Sequence, residues 1–108
     1  MHQLFVEKKP PFRVKEAKHK RAIEHALGYE IDDLRLINLY YRAQPFSDAA
    51  VTSVFSEPLQ DIVYHELTIP PDYLALRVEY LPGQFDQRAY WAGECLALLG
   101  EDPTVYSA

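Results

Sequence analysis

A single cysteine, four glycines and the absence of any long apolar run limit what this 108-residue sequence can do. With Cys95 alone, no disulfide can close within the chain and no cysteine-based metal cluster can form. A reducing compartment, and by default the cytoplasm, is the expected location. No stretch approaches the roughly 20 apolar residues that a helix needs to cross a bilayer, and the N-terminal MHQLFVEKKP lacks the apolar centre of a secretion signal. No membrane partner is expected. Glycine is too sparse for a glycine-rich phosphate loop, since Gly83 stands alone in its turn. Positive charge is also short: the net charge is −5, which argues against the chain as a whole wrapping nucleic acid.

What is present is apolar and aromatic material, 48% and 13% of the residues, enough for one globular domain with a modest core. The few basic residues are unevenly spread. Seven of the eleven, Lys8, Lys9, Arg13, Lys15, Lys18, Lys20 and Arg21, fall between positions 8 and 21, where Glu16 is the only acid. Such a segment reads either as the solvated face of a first helix and the loop before it, or as a seat for a phosphate-bearing or acidic partner.

The clearest succession of elements is Leu74 to Gly100. Leu74, Leu76, Val78 and Tyr80 alternate with Ala75, Arg77 and Glu79, the period of two of a strand with one face on a core. Pro82 and Gly83 end it in a sharp turn. Phe85, Ala89, Ala92, Leu96 and Leu99 then recur at helical spacing, with Asp86 as the N-terminal cap and Gly100 as the stop, which predicts a helix over Asp86 to Leu99. Earlier in the chain, Gln3 to Lys9 reads as a first strand, Val14 to Leu27 as a helix whose first half is weakly amphipathic and only partly covered, and Leu34 to Arg42 as a strand apolar on both faces. Residues 44–72 are broken by Pro45, Pro58, Pro70 and Pro71. They read as an irregular connector holding a short helix at Ala49 to Phe55 and a short strand at Ile62 to Leu67. Thr104 to Ala108 begins a last strand with no closing turn, which suggests a piece of a longer chain.

This order divides the domain into unit one (1–43), the connector (44–72) and unit two (73–108). The expected fold is α+β and ferredoxin-like: two βαβ units forming one four-stranded, mainly antiparallel sheet with two helices on one face.

Little in the sequence suggests a catalytic centre. His2, His19, His25 and His65 share no spacing typical of a metal site. Cys95, mid-helix beside Glu94, reads as a small core residue rather than an activated thiolate. Asp32 with Asp33, and Glu101 with Asp102, are adjacent pairs in loops, suited to capping or solvation. The turn at Pro82, Gly83, Gln84, Asp86, Gln87 and Arg88 leads into a helix N-terminus, where free amides attract anions, and it is the candidate surface for function. Tyr90 and Trp91 beside it suit packing against the sheet or a neighbouring domain.

Three stretches, FVEKKPPF at Phe5 to Phe12, VFSEP at Val54 to Pro58 and above all VEYLPGQFDQRA at Val78 to Ala89, resemble the N-terminal region of single-chain phosphoribosylformylglycinamidine synthase, the amidotransferase of purine biosynthesis. The resemblance spans almost the whole chain and implies a PurS-like domain. It also implies that the ATP- and magnesium-dependent synthetase and the glutaminase with its nucleophilic cysteine lie downstream. No cofactor and no catalytic residue is then expected in these 108 residues. The implied role is a scaffold that joins synthetase to glutaminase and contributes to the ammonia path between them, with the turn Pro82 to Arg88 facing the other domains. Two departures bear on the first helix: His19 and Lys20 stand at positions expected to be aliphatic, and Pro11 stands where the family often has glycine. The alternative is a free-standing ferredoxin-like module or PurS-type subunit acting as a homodimer, and isolation of the domain is also expected to invite dimerisation. A small enzyme in its own right would need a convergent acid, base or metal set.

Overall fold

Alternating side chains make the first strand the centre of the molecule. The computed structural model describes residues 1–108, and in it β1 (His2–Lys8) turns Leu4 and Val6 to one face and Phe5 and Glu7 to the other. It is paired on both edges. Leu4 lies opposite Tyr40 of β2 (Ile37–Arg42), and Val6 lies opposite Val63 of β3 (Asp61–Tyr64). A short β4 (Tyr106–Ser107) joins the outer edge of β2, with Tyr40 opposite Ser107. The result is a four-stranded sheet in the order β3-β1-β2-β4, antiparallel throughout, in an α+β fold.

One face of this sheet carries the core. Leu4, Val6 and Tyr40 meet Ala50 and Phe55 from the helical segment α2 (Asp48–Ala50), which widens into a π turn over Val51–Phe55. From the other side come Ala89, Ala92 and Leu96 of α3 (Gln87–Leu98), with Val105 beside them. Ser47 caps α2 by accepting the Ala50 amide hydrogen at 3.1 Å. The Phe55 ring is packed between Tyr40 and Phe46, at 4.8 and 5.1 Å between centroids. α3 keeps the expected spacing, but only its middle is covered. Phe85 and Leu99, at the ends of the predicted stripe, are exposed, and so is Cys95, which is not the core residue its surroundings in sequence suggest. Gly93 completes the buried stripe for a different reason: a Cβ there would lie 2.6 Å from the Pro103 carbonyl oxygen.

The helix α1 (Lys15–Leu27) ends at Gly28, whose φ of 79° suits glycine and whose amide donates to the Glu24 carbonyl at 2.9 Å. It stands off from the body. Glu16 is its only buried residue, so exposure reaches beyond the weakly amphipathic first half and includes Ile23 and Leu27.

Three expectations need correction. Leu74 to Tyr80 is not a strand: the outer edges of β3 and β4 stay open, but its backbone enters no ladder and only side-chain contacts tether it. Leu74, Leu76 and Val78 are consequently 89%, 84% and 78% exposed. The segment is held from the side, by Tyr73 donating to Asp33, by the Tyr41 hydroxyl donating to Glu79 at 2.7 Å, and by Arg77 lying 5.1 Å from the Tyr41 ring centre. Second, β1 and β2 are direct antiparallel neighbours, so the connection through α1 is no parallel crossover and two βαβ units do not form. Third, residues 44–72 are not a bridge between halves. They supply β3 and the buried Ala50 and Phe55, while α2 and α3, not α1, share the core face.

These pairings leave a thin core. Fifteen of the 108 residues are buried. The accessible surface is 7943 Å², against about 6,200 Å² for a compact chain of this mass. The radius of gyration, 15.2 Å, likewise exceeds the roughly 13 Å of a compact domain of this length.

Candidate functional site at the turn into the last helix

The turn from Leu81 to Gln84 is closed twice. The Gln84 amide donates to the Leu81 carbonyl at 2.9 Å, and the Gln84 side-chain oxygen accepts from the Leu81 amide at 2.7 Å. Between them Gly83 takes a φ of 87°, a left-handed angle that a side chain would resist.

Beyond the turn, the six predicted site residues divide. Asp86 is the cap of α3, accepting from the Ala89 amide at 3.0 Å, and its carboxylate also takes the Ser107 hydroxyl at 2.7 and 2.8 Å and the Ser107 amide at 3.2 Å. It fastens the last helix to the last strand. Arg88 likewise turns inward, donating to Asn38 Oδ1 and to the Ala108 carbonyl, with its guanidinium 5.4 Å from the Tyr40 ring centre. Pro82, Gly83, Gln84 and Gln87 are exposed. The groove beside the turn takes in only Gln84 and Asp86 of the six, and the two charged members are committed to holding the fold.

What the turn does carry is apolar surface. Phe85, Tyr90 and Trp91 form a ladder, with ring centroids 5.5 and 5.3 Å apart, and are 66%, 49% and 59% exposed. Tyr90 and Trp91 therefore do not pack against the sheet. Below the ladder an open groove of about 340 Å³ runs past Phe85, Tyr90, Gly93 and Pro103. Leu74, Leu76, Val78, Tyr80 and Leu81 extend the exposed apolar stretch in sequence, immediately before the turn.

Of the paired carboxylates, Asp102 accepts a backbone amide, while Asp33 and Glu101 take side-chain partners. The hydrogen bond from Tyr73 holds Asp33 below the ordinary carboxylate range. Asp102 is lowered chiefly by the Thr104 amide, at 2.8 Å. Glu101 meets Arg42 at 3.2 Å and the Ser47 hydroxyl at 2.8 Å.

Two groupings escaped the sequence. Strand pairing brings His2 and His65 to one open pocket with Gln3, Phe46 and Glu66, a meeting that linear spacing does not show, although no three His, Cys, Asp or Glu side chains are placed to hold a metal ion. The second is ionic. Glu7, 1% exposed on the sheet face opposite the core, accepts two hydrogen bonds from Arg35, each 2.7 Å, and one from Tyr64 at 3.1 Å, with Arg13 at 3.3 Å. Burial alone would raise its pKa, but Arg35, Arg13 and Tyr64 together outweigh burial and hold it below the ordinary 4.5. The only advance sign was an acid directly after the apolar run Leu4 to Val6.

No helix is long and apolar enough to cross a membrane. No family model, curated protein or solved structure matches the chain.

Proposed function

We propose that this chain is the N-terminal, PurS-like scaffolding domain of a phosphoribosylformylglycinamidine synthase, docking synthetase and glutaminase domains through its exposed apolar side and contributing to ammonia transfer between them. The observation that carries this reading is the surplus surface. About 1,700 Å² more is exposed than a compact chain of this mass would show, roughly twice what one partner contributes to a standard protein interface. Apolar and aromatic side chains from Leu74 to Trp91 supply much of it, and aromatics are the residues that anchor interfaces. The same stretch holds VEYLPGQFDQRA, the longest of the three resembling motifs. In this proposal ATP, magnesium and the nucleophilic cysteine belong to the other domains, and Asp86 and Arg88 hold the turn in shape rather than touch substrate.

The test is reconstitution with the cognate synthetase and glutaminase domains expressed without this region. Adding the 108-residue chain is expected to restore amidine formation from glutamine, while the chain alone shows no saturable binding of formylglycinamide ribonucleotide, ATP or glutamine. No gain in glutamine-dependent turnover, or tight binding of any of the three by the chain alone, overturns the reading. The exposed strip also fits a second copy, and a stable dimer that leaves turnover unchanged would favour a free-standing homodimeric subunit.

A further inference from the structure

We propose that the outward face of α1 is a docking site for an acidic protein segment. The seven cations between positions 8 and 21 fall into two sets. Four are engaged: Lys8 with Asp61 at 2.9 Å, Lys9 with the Pro58 carbonyl at 3.2 Å, Arg13 with Glu7 and the Lys8 carbonyl at 3.3 and 2.9 Å, and Lys20 with the Asp32 carbonyl at 3.3 Å. Three have no partner. Lys15, Lys18 and Arg21 are exposed and make no ion pair or hydrogen bond.

Helical geometry puts those three together. At 100° per residue, Lys15, Lys18 and Arg21 lie within about 120° of arc, with His25 inside it one turn on, and the row is about 9 Å long. Glu16, Lys20 and Glu24 fall on the opposite side. That side faces the body, where Glu16 is buried, Lys20 reaches Asp32 and Glu24 accepts from the Ile31 amide at 2.9 Å. The unpaired cations are therefore the side of the helix turned away from the protein, and no acid shares their arc.

Charge complementarity selects the occupant. The row is the positive pole of a molecule whose net charge is −5, so the remaining surface is strongly acidic and repels a long polyanion that would run past the row. α1 also has no Phe, Tyr or Trp on which a base could stack. Its exposed apolar residues, Ile23 and Leu27, are too few to seat the helix in a lipid interface. A few carboxylates on a protein segment match the length of the row. This inference does not rest on the proposed scaffolding role, since it concerns the other end of the chain.

The experiment is anisotropy of a fluorescent octaglutamate peptide titrated with the whole 108-residue protein at low salt, with a poly-dT oligonucleotide and phosphatidylserine vesicles as comparison probes. Saturable peptide binding that weakens with salt is expected, and Lys15→Gln, Lys18→Gln and Arg21→Gln combined should weaken it by about tenfold. Lys15→Arg with Lys18→Arg should bind as the parent does, and Lys9→Gln with Lys20→Gln should stay within about twofold. The inference is overturned by no peptide binding, by equal losses in the two glutamine sets, or by oligonucleotide or vesicles binding more tightly than the peptide. A circular dichroism spectrum unchanged by the substitutions assigns the loss to the row, and loss in the charge-preserving arginine variant would contradict it.

Discussion

Glu7 shows how one residue can set the acid limit of this fold. Its folded pKa lies below the ordinary 4.5, so the stabilisation it gives is fully present above about pH 4.5 and is lost as pH falls through the lower folded value. Glu7→Gln should cost about 2–3 kcal/mol at pH 7, because Arg35 and Arg13 then lose their carboxylate. The same variant should lose less stability than the parent between pH 5 and pH 3. Thermal melts of both proteins across that range check this, and parallel curves would show that the carboxylate is not coupled to folding. Asp33, Glu79 and Asp102 are also held low by hydrogen bonds, but they are exposed and act alike in both proteins, so the difference between the curves isolates Glu7.

At the scale of elements, the last helix depends on close approach as much as on its apolar stripe. Gly93→Ala would gain about 1 kcal/mol in helix propensity, yet the new methyl would sit 2.6 Å from the Pro103 carbonyl oxygen. Overpacking wins, and a net loss of about 1–2 kcal/mol is expected in a denaturant titration. An equal or raised stability would mean that the Pro103 loop yields freely. What could be read from the sequence follows the same division. Both long helices, Asp86 as the cap and all four strands were legible, because capping and periodicity are local properties. The segment Leu74 to Tyr80 was not. Alternation reports that a segment could pair, but whether it meets an edge depends on partners far off in sequence, and here Asp33 and Tyr41 tether the segment by side chains instead. The candidate turn was legible as a turn, while the inward commitment of Asp86 and Arg88 depended on a strand twenty residues on. The Glu7 cluster joins positions 7, 13, 35 and 64, and no linear pattern links them.

For the whole molecule, an elongated body of 48 × 33 × 24 Å with a thin core carries more apolar surface than folding alone requires. Scattered exposed apolar residues are ordinary, but a run from Leu74 to Leu81 followed directly in sequence by a three-ring ladder is a concentration of the kind that marks an interface. The central claim is that this surface is covered by the synthetase and glutaminase domains. Amide hydrogen exchange of residues 74–91 tests it most directly, measured on the chain alone and again with the cognate domains present. The account predicts that exchange over 74–85, outside any helix or ladder and fast in the free chain, slows by about tenfold or more in the mixture, while α1 is unchanged. Identical exchange in the two samples, with the domains folded and in excess, would contradict it.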